Sequence, residues 1–222
     1  MTKTTISREE ILQTYPAVMD IGSLIKALEQ RFLTLGEVVC QFKLNGMSLT
    51  EADESRLSQV ALDEVDTIEI ESQSPQDLLF NLLDNWTREL PVLMQNADEL
   101  AKDIKFKGIE GNLKSFVDLL DTCQFLTESL ISLEAIIQRA SIDQTRWREA
   151  EALTARAIGQ ALKTFELKDF VLLSEILEYD LGHALQVWFE EIQRLSQTLK
   201  DENAKDPKGF SERVFIKGGN AP

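Results

Sequence analysis

The sequence is poor in the residues on which most catalytic and metal-binding sites depend. Its 222 residues include one histidine, His183, and two cysteines, Cys40 and Cys123. A Ser-His-Asp or Cys-His arrangement would have to use that one histidine. The usual di-metal site of a helical bundle needs a Glu-x-x-His motif on each of two helices, so one histidine is too few. Because no Walker loop, Gly-x-Gly-x-x-Gly or Cys-x-x-Cys motif is present either, we expect no enzyme activity and no cofactor.

Basic charge and long apolar runs are scarce as well. The chain carries 23 Lys and Arg against 38 Asp and Glu, which gives a formal net charge of −15. A duplex nucleic-acid binder needs clustered basic side chains that displace phosphate counterions, and anionic membranes attract the same side chains. No stretch approaches the roughly 20 apolar residues that cross a bilayer, and residues 1–7 lack the apolar segment of a secretory signal. We therefore expect a cytoplasmic protein that binds neither nucleic acid nor membranes.

The two cysteines fall in separate predicted elements, and each has apolar neighbours in the sequence. Two buried free thiols are typical of a protein in a reducing cytoplasm. A disulfide between Cys40 and Cys123 is the alternative that the sequence leaves open.

Amphipathic patterns are what the sequence does have, and residues 1–73 combine two kinds. Ser7-Arg8-Glu9-Glu10 is a capping box, whose hydroxyl and carboxylate satisfy free amides at the start of a helix. This helix should stop before Pro16. A second helix should end near Gly36 and has one apolar face, formed by Leu24, Ile25, Leu28 and Phe32.

The pattern then changes to one apolar residue in two, which is typical of a half-buried strand. It covers residues 38–44 and returns over residues 65–71, and the inward positions of the first strand should be Val38, Cys40, Phe42 and Leu44. Asn45-Gly46 predicts a tight hairpin because both residues tolerate positive φ, and residues 51–54 should begin an acidic helical turn. The order of elements is loosely like that of the β-grasp or ubiquitin-like folds without a first hairpin, a similarity that implies no function.

Residues 75–204 predict a helical domain. Ser74 should cap its first helix, with Pro75 in the first turn, and Pro91 should kink that helix. The second helix has the most regular apolar seam, at steps of three and four residues, formed by Phe116, Leu119, Cys123, Leu126, Leu130, Leu133 and Ile137. The protein should therefore be mostly α, with an antiparallel four-helix bundle after a small β-grasp-like module. Residues 205–222 should form a flexible tail.

A short motif occurs twice in the helical domain. Leu113-Lys114-Ser115-Phe116-Val117 opens the second helix, and Leu167-Lys168-Asp169-Phe170-Val171 opens the fourth. The repeat predicts two helical hairpins of similar design. The third helix should face the core through Ala150, Leu153, Ala157, Ile158, Ala161, Leu162 and Phe165. The fourth should do so through Phe170, Leu173, Leu177, Leu181, Ala184, Trp188, Ile192, Leu195 and Leu199.

Candidate site residues are few. Asp180 and His183 lie three residues apart on the fourth helix, so both could meet one metal ion on that face. The better interpretation is that Asp180 and His183 are ordinary polar residues at the edge of a helix seam, and we expect no metal site. In the tail, Phe210, Phe215 and Ile216 are candidates for contact with a partner, although docking on the protein's own helices is the favoured interpretation.

The segment Leu167–Leu181, with the sequence LKDFVLLSEILEYDL, resembles a recurring segment of certain bacterial proteins. Those proteins pair a small N-terminal module with a helical domain and have no assigned activity. The resemblance implies a bacterial, cytoplasmic protein and adds no site residue.

Three functional hypotheses follow. The leading one is a non-enzymatic interaction or scaffold protein, adaptor-like or chaperone-like, that binds a protein partner. The alternative is a helical bundle that binds a ligand or metal through polar residues of the fourth helix, Glu178, Asp180 and His183. The third is self-association as a homodimer, in which two chains share the regular seam of the second helix.

Overall fold

The computed structural model describes residues 1–18, 20–50, 53 and 62–216. These residues form a mostly helical protein with a small antiparallel sheet of four strands near the N-terminus. The chain divides into two compact units, residues 1–78 and residues 79–222. Each unit has a hydrophobic core of its own.

The first unit begins with a strand that the sequence pattern did not predict. β1 spans Thr2–Ser7. The strand leads into α1, Arg8–Thr14, through the predicted capping box, in which Ser7 N donates to the Glu10 carboxylate at 2.9 Å. α2 spans Ile21–Thr34, and the chain turns as predicted at Gly36, where φ is +76°.

Three further strands complete the sheet. β2 spans Val38–Leu44, β3 spans Met47–Ser48 and β4 spans Thr67–Gln73, with a 3₁₀ turn at Leu62–Glu64 before β4. The strand order is β1-β4-β2-β3, and every pairing between the described strands is antiparallel. Asn45 and Gly46 have φ of 49° and 82°, so they form the predicted hairpin turn. Of the acidic turn predicted over residues 51–54, only Asp53 lies within the described residues.

A bulge in β2 changes the side of the sheet on which its first residues lie. Val39 pairs with Ser72 and Gln41 pairs with Glu71, so Cys40 is the extra residue. Phe42 is buried as predicted, whereas Cys40 is exposed and Val39 packs against the core instead. The prediction that Cys40 is buried was therefore wrong, because the alternation of side chains does not continue through a bulge.

The helical part of the chain begins at Pro75, a few residues before the second unit, and the second unit is helical over its described residues. α3 spans Pro75–Lys107, α4 spans Leu113–Arg139 and α5 spans Thr145–Glu166. A last long helical stretch begins as α6, Phe170–Glu175, widens into a π-type turn, Ile176–Leu181, and continues as α7, Gly182–Lys205. Ser74 caps α3, since its hydroxyl accepts from Asp77 N at 3.0 Å, and α3 continues through Pro91.

The buried residues of this unit confirm two of the predicted helix faces. On α5, the face that is buried is rotated relative to the predicted one. Every residue of the predicted α4 seam is buried, and so is every predicted inward residue from Leu173 to Leu199. On α5 the buried residues are Trp147, Ala150, Thr154, Ala157, Ala161 and Thr164. Leu162 was expected in the core but is 44% exposed.

The segment predicted as a flexible tail differs from that expectation as far as Ile216. Asp206 accepts from Gly209 N at 3.0 Å and caps α8, Pro207–Ser211, which runs into a second π-type turn, Glu212–Ile216. Phe210 is fully buried, and Arg139 Nη1 donates to the Val214 carbonyl at 2.6 Å. Pro207 is the first residue of α8, a position where its missing amide hydrogen costs no helical hydrogen bond. Residues 217–222 lie outside the described residues.

Candidate functional site

The two copies of the Leu-Lys-x-Phe-Val motif meet around one aromatic side chain. The ring of Phe116 stacks on that of Phe165 at a centroid distance of 5.2 Å, and Phe170 lies 6.4 Å from the same ring. The motif phenylalanines therefore pack inward. Its other apolar residues do not, since they are between 46% and 69% exposed: Leu113, Val117, Leu167 and Val171. Both copies thus leave apolar surface uncovered.

A groove of about 610 Å³ lies between α4 and α5 and includes this aromatic contact. Its α4 wall runs from Leu113 to Glu128, and its α5 wall runs from Phe165 back to Glu151. At a rise of 1.5 Å per residue, each wall is about 21 Å long, or about four helical turns. The lining residues are Leu113, Phe116, Val117, Leu120, Asp121, Gln124, Thr127, Glu128, Glu151, Thr154, Ala155, Ile158, Leu162 and Phe165.

The groove has a buried floor and open walls. Phe116 and Thr154 form the floor and are at most 2% exposed, whereas Leu113, Val117 and Leu162 keep 44–46% of their surface exposed. The floor is fixed by hydrogen bonds, because Thr154 Oγ1 accepts from the Trp188 indole at 3.0 Å and donates to the Ala150 carbonyl at 2.9 Å. A preformed, half-covered apolar surface is thus present without any partner.

The sequence explains why the gap opens on this side of α5. The buried face of α5 is rich in alanine, and small side chains allow close approach of helix axes. That face packs closely on α7 and the π-type turn before it, and α5 contacts α4 much less. On α4, Leu113, Val117 and Leu120 form a second apolar stripe beside the buried seam, at steps of four and three residues. Leu113 and Val117 of this stripe are each 46% exposed, and Leu120 is partly buried against the core.

Charge is distributed unevenly along the groove. Asp121 and Glu128 on α4 and Glu151 on α5 line its second half, and no lining residue is lysine or arginine. Glu128 Oε1 accepts from the Gln124 amide at 2.7 Å, and Glu151 Oε1 accepts from the Trp147 indole at 3.0 Å. The groove is therefore apolar at the end near Phe165 and acidic at the end near Glu151.

The residues singled out in the sequence lie elsewhere. Asp180 and His183 are both exposed and neither lines the groove. Among the described residues, no group of three or more His, Cys, Asp and Glu side chains is placed to hold a metal ion. Phe210 presents no surface to a partner, and Phe215 is partly buried against it at a centroid distance of 6.2 Å. The side chain of Ile216 is outside the described residues.

Both cysteines are free thiols. Cys123 is buried in the α4 seam, and burial raises the pKa of its thiol to about 12. Cys40 is exposed at the β2 bulge. Neither lines the α4–α5 groove.

The groove was missed from the sequence because a helix with two adjacent apolar stripes looks like one with a wide core face. The signal was nevertheless present at Leu113, Val117 and Leu120.

Comparison of the chain with protein-family models, curated proteins and solved structures finds no match. The helices of the described ranges include none with both the length and the apolarity that a bilayer crossing requires.

Proposed function

We propose that the protein is a non-enzymatic interaction protein that holds a helix of a partner protein in the α4–α5 groove. The supporting observation is the open apolar surface between two antiparallel walls about 21 Å long. In helix-in-groove recognition, an amphipathic helix lays its apolar face, at positions i, i+3, i+4 and i+7, into such a surface. Adaptors and chaperones that hold apolar helices both use this mode, which agrees with the leading sequence-based hypothesis.

The energy of apolar contact is modest. Full burial of one large aliphatic side chain contributes about 1.5–3 kcal/mol, and Leu113, Val117 and Leu162 are each roughly half buried already. Covering all three therefore contributes about 3 kcal/mol, and the partner's own apolar face about as much again. Association costs an estimated 4–15 kcal/mol. Apolar contact alone is thus marginal, and a stable complex requires further contacts around the groove.

Site-specific photo-crosslinking in host cells tests the proposal. A photoreactive amino acid at Val117 or Leu162, inside the groove, should crosslink to one helical segment of a partner protein, identified by mass spectrometry. Val171 is the matched control, because it is apolar and 63% exposed but does not line the groove. The change V117E in the background of the Leu162 probe should remove most of the adduct. Equal adducts from Val171, or none from the two groove positions, would count against the proposal.

A small apolar molecule is a second candidate occupant. The groove volume lies within the roughly 300–1,000 Å³ of small-molecule pockets, and its lining is mostly apolar. Such pockets bury most of their ligand, whereas three wall residues here are nearly half exposed. A helix therefore fits the open geometry better. A tightly held compound that copurifies with the native chain and is lost from V117E would instead favour the small molecule.

We infer that the long helices of the second unit form an antiparallel four-helix bundle, which their short connections and shared core support. The β-grasp comparison for the first unit is limited to a sheet backed by helices, because the described strands pair antiparallel throughout. A bacterial, cytoplasmic protein remains our prediction. For a homodimer the α4 seam is a poor interface, because that seam is buried within one chain.

A further inference from the structure

We propose that the helix held in the α4–α5 groove is basic at one end and apolar over its remaining turns. This inference rests on the function proposed above and specifies the chemistry of the partner. It follows from the division of the groove into an apolar half and an acidic half.

The acidic half has three carboxylates without a basic neighbour in the lining. Asp121 and Glu128 lie two turns apart on α4, and Glu151 lines the opposite wall on α5. An apolar helix with no positive charge would leave these carboxylates partly desolvated and unpaired, which is unfavourable. Lysine or arginine side chains on the bound helix would pair with them instead.

Two of the carboxylates are already held in position. The bonds from Gln124 to Glu128 and from Trp147 to Glu151 each use one carboxylate oxygen, Oε1. The second oxygen of each group remains an acceptor for an incoming ammonium or guanidinium. Because the side chains are already oriented, less conformational entropy is lost when they pair with a partner.

The charge of the groove also disfavours nucleic acids and anionic membranes as partners. The acidic half of the groove and the net charge of −15 repel phosphate backbones and anionic lipid headgroups. The same net charge attracts a basic helix over long range and raises its association rate. The apolar half then sets the register, because Leu113, Val117 and Leu162 can only be covered by the apolar turns of the helix.

Isothermal titration calorimetry on the full chain tests this inference with two synthetic peptides. Each peptide is an amphipathic helix of about 14 residues, the length of the groove walls, with leucines on one face. One peptide has lysines over its last turns, and its twin has glutamates at the same positions. The lysine peptide should bind at least about tenfold more tightly than its twin, and rising salt should reduce the difference.

A pair of matched variants separates the effect of the three carboxylates in the acidic half of the groove from the effect of the overall net charge. D121N/E128Q/E151Q removes three negative charges from the groove, and E151Q keeps an acceptor for the Trp147 indole. The control E99Q/D103N/D118N removes the same charge from a separate groove of about 330 Å³ between α3 and α4. The first variant, called the rim variant, should lose most of the preference for the lysine peptide, and the control should keep it. Circular dichroism of both variants should match that of the native chain.

If the control loses the preference as fully as the rim variant, net charge is responsible and the inference is overturned. If both peptides bind the native chain equally, the inference that the bound helix has a basic end is overturned, whereas the proposal that the groove holds a helix stands. If neither peptide binds, the inference is overturned as well, and photo-crosslinking decides separately whether a partner helix occupies the groove.

Discussion

At the scale of single residues, Glu191 shows how a buried charge can connect separate parts of the chain. It lies on α7 and is 1% exposed. Its carboxylate accepts from Arg194 Nε at 2.8 Å and from Arg194 Nη2 at 2.6 Å. Arg194 Nη2 also donates to the Asp143 carbonyl at 3.0 Å, in the turn that precedes α5. Glu191 thus orients the group that ties this turn to α7.

The next residue on the chain, Glu190, provides a matched comparison. Glu190 pairs with Arg146 at 2.9 Å, but both side chains are nearly half exposed. We expect E191Q to lower the free energy of unfolding by about 1.5–3 kcal/mol, because it weakens buried bonds to a charged group. E190Q should cost about 0–1 kcal/mol, as exposed ion pairs do. Urea unfolding followed by circular dichroism measures both, and equal costs would show that Glu191 is no more important than a surface ion pair.

At the scale of elements, the same substitution should have opposite effects in a turn and in a helix. Gly46 has φ of +82° in the β2–β3 hairpin, and Gly159 lies in the interior of α5 without a positive φ. A Cβ at either position would meet nothing within 4 Å, so crowding plays no part. Only the backbone conformation distinguishes the two sites.

We therefore expect G46A to destabilise its hairpin by about 1–2 kcal/mol, the cost of the left-handed region for a residue with a Cβ. G159A should stabilise α5 by about 0.5–1 kcal/mol, because alanine loses less conformational entropy in a helix. Hydrogen exchange of the amides in each element, compared with the native chain, measures the two effects separately. Faster exchange in α5 of G159A would contradict the argument.

The sequence predicts elements well where one local motif or one periodic pattern decides the outcome. The capping box at Ser7, the Asn45-Gly46 turn and the complete α4 seam are such cases. Prediction fails where a neighbour decides. The bulge that exposes Cys40 depends on pairing with β4, and the rotation of α5 depends on how closely its alanines allow α7 to approach. β1 was missed although Thr2, Thr4, Thr5 and Ile6 are β-branched residues, which favour strands.

The candidate site was harder to predict than the fold. Leu162 was assigned to the core and instead forms a groove wall. Phe210 was one of the candidate partner contacts, but it is fully buried in the helical core, as the favoured alternative of self-docking predicted. An apolar residue has the same pattern in both roles. Which residues are apolar can be read from the sequence, but the packing of other helices decides which of them remain exposed.

At the scale of the whole molecule, the two compact units should fold independently. Each has its own core. A cut between Gln73 and Ser74, five residues before the boundary of the units, leaves β4 complete and keeps α3 whole with its serine cap. Domains of this size commonly fold alone. We expect residues 1–73 and residues 74–222, produced separately, each to give dispersed NMR spectra and a cooperative thermal transition. A fragment 1–73 with the narrow amide dispersion of an unfolded chain would show that the first unit needs the second.

The bond between Trp188 and the floor of the groove also has an optical consequence. Trp188 is fully buried, donates to Thr154, and meets the ring of Trp147 edge-on at a centroid distance of 4.8 Å. Two indoles so close couple electronically, so their near-ultraviolet circular dichroism depends on their relative orientation. A helix seated on Thr154 would change the surroundings of one indole of this pair. The native chain thus contains an unlabelled spectroscopic probe beneath the surface where we place its partner.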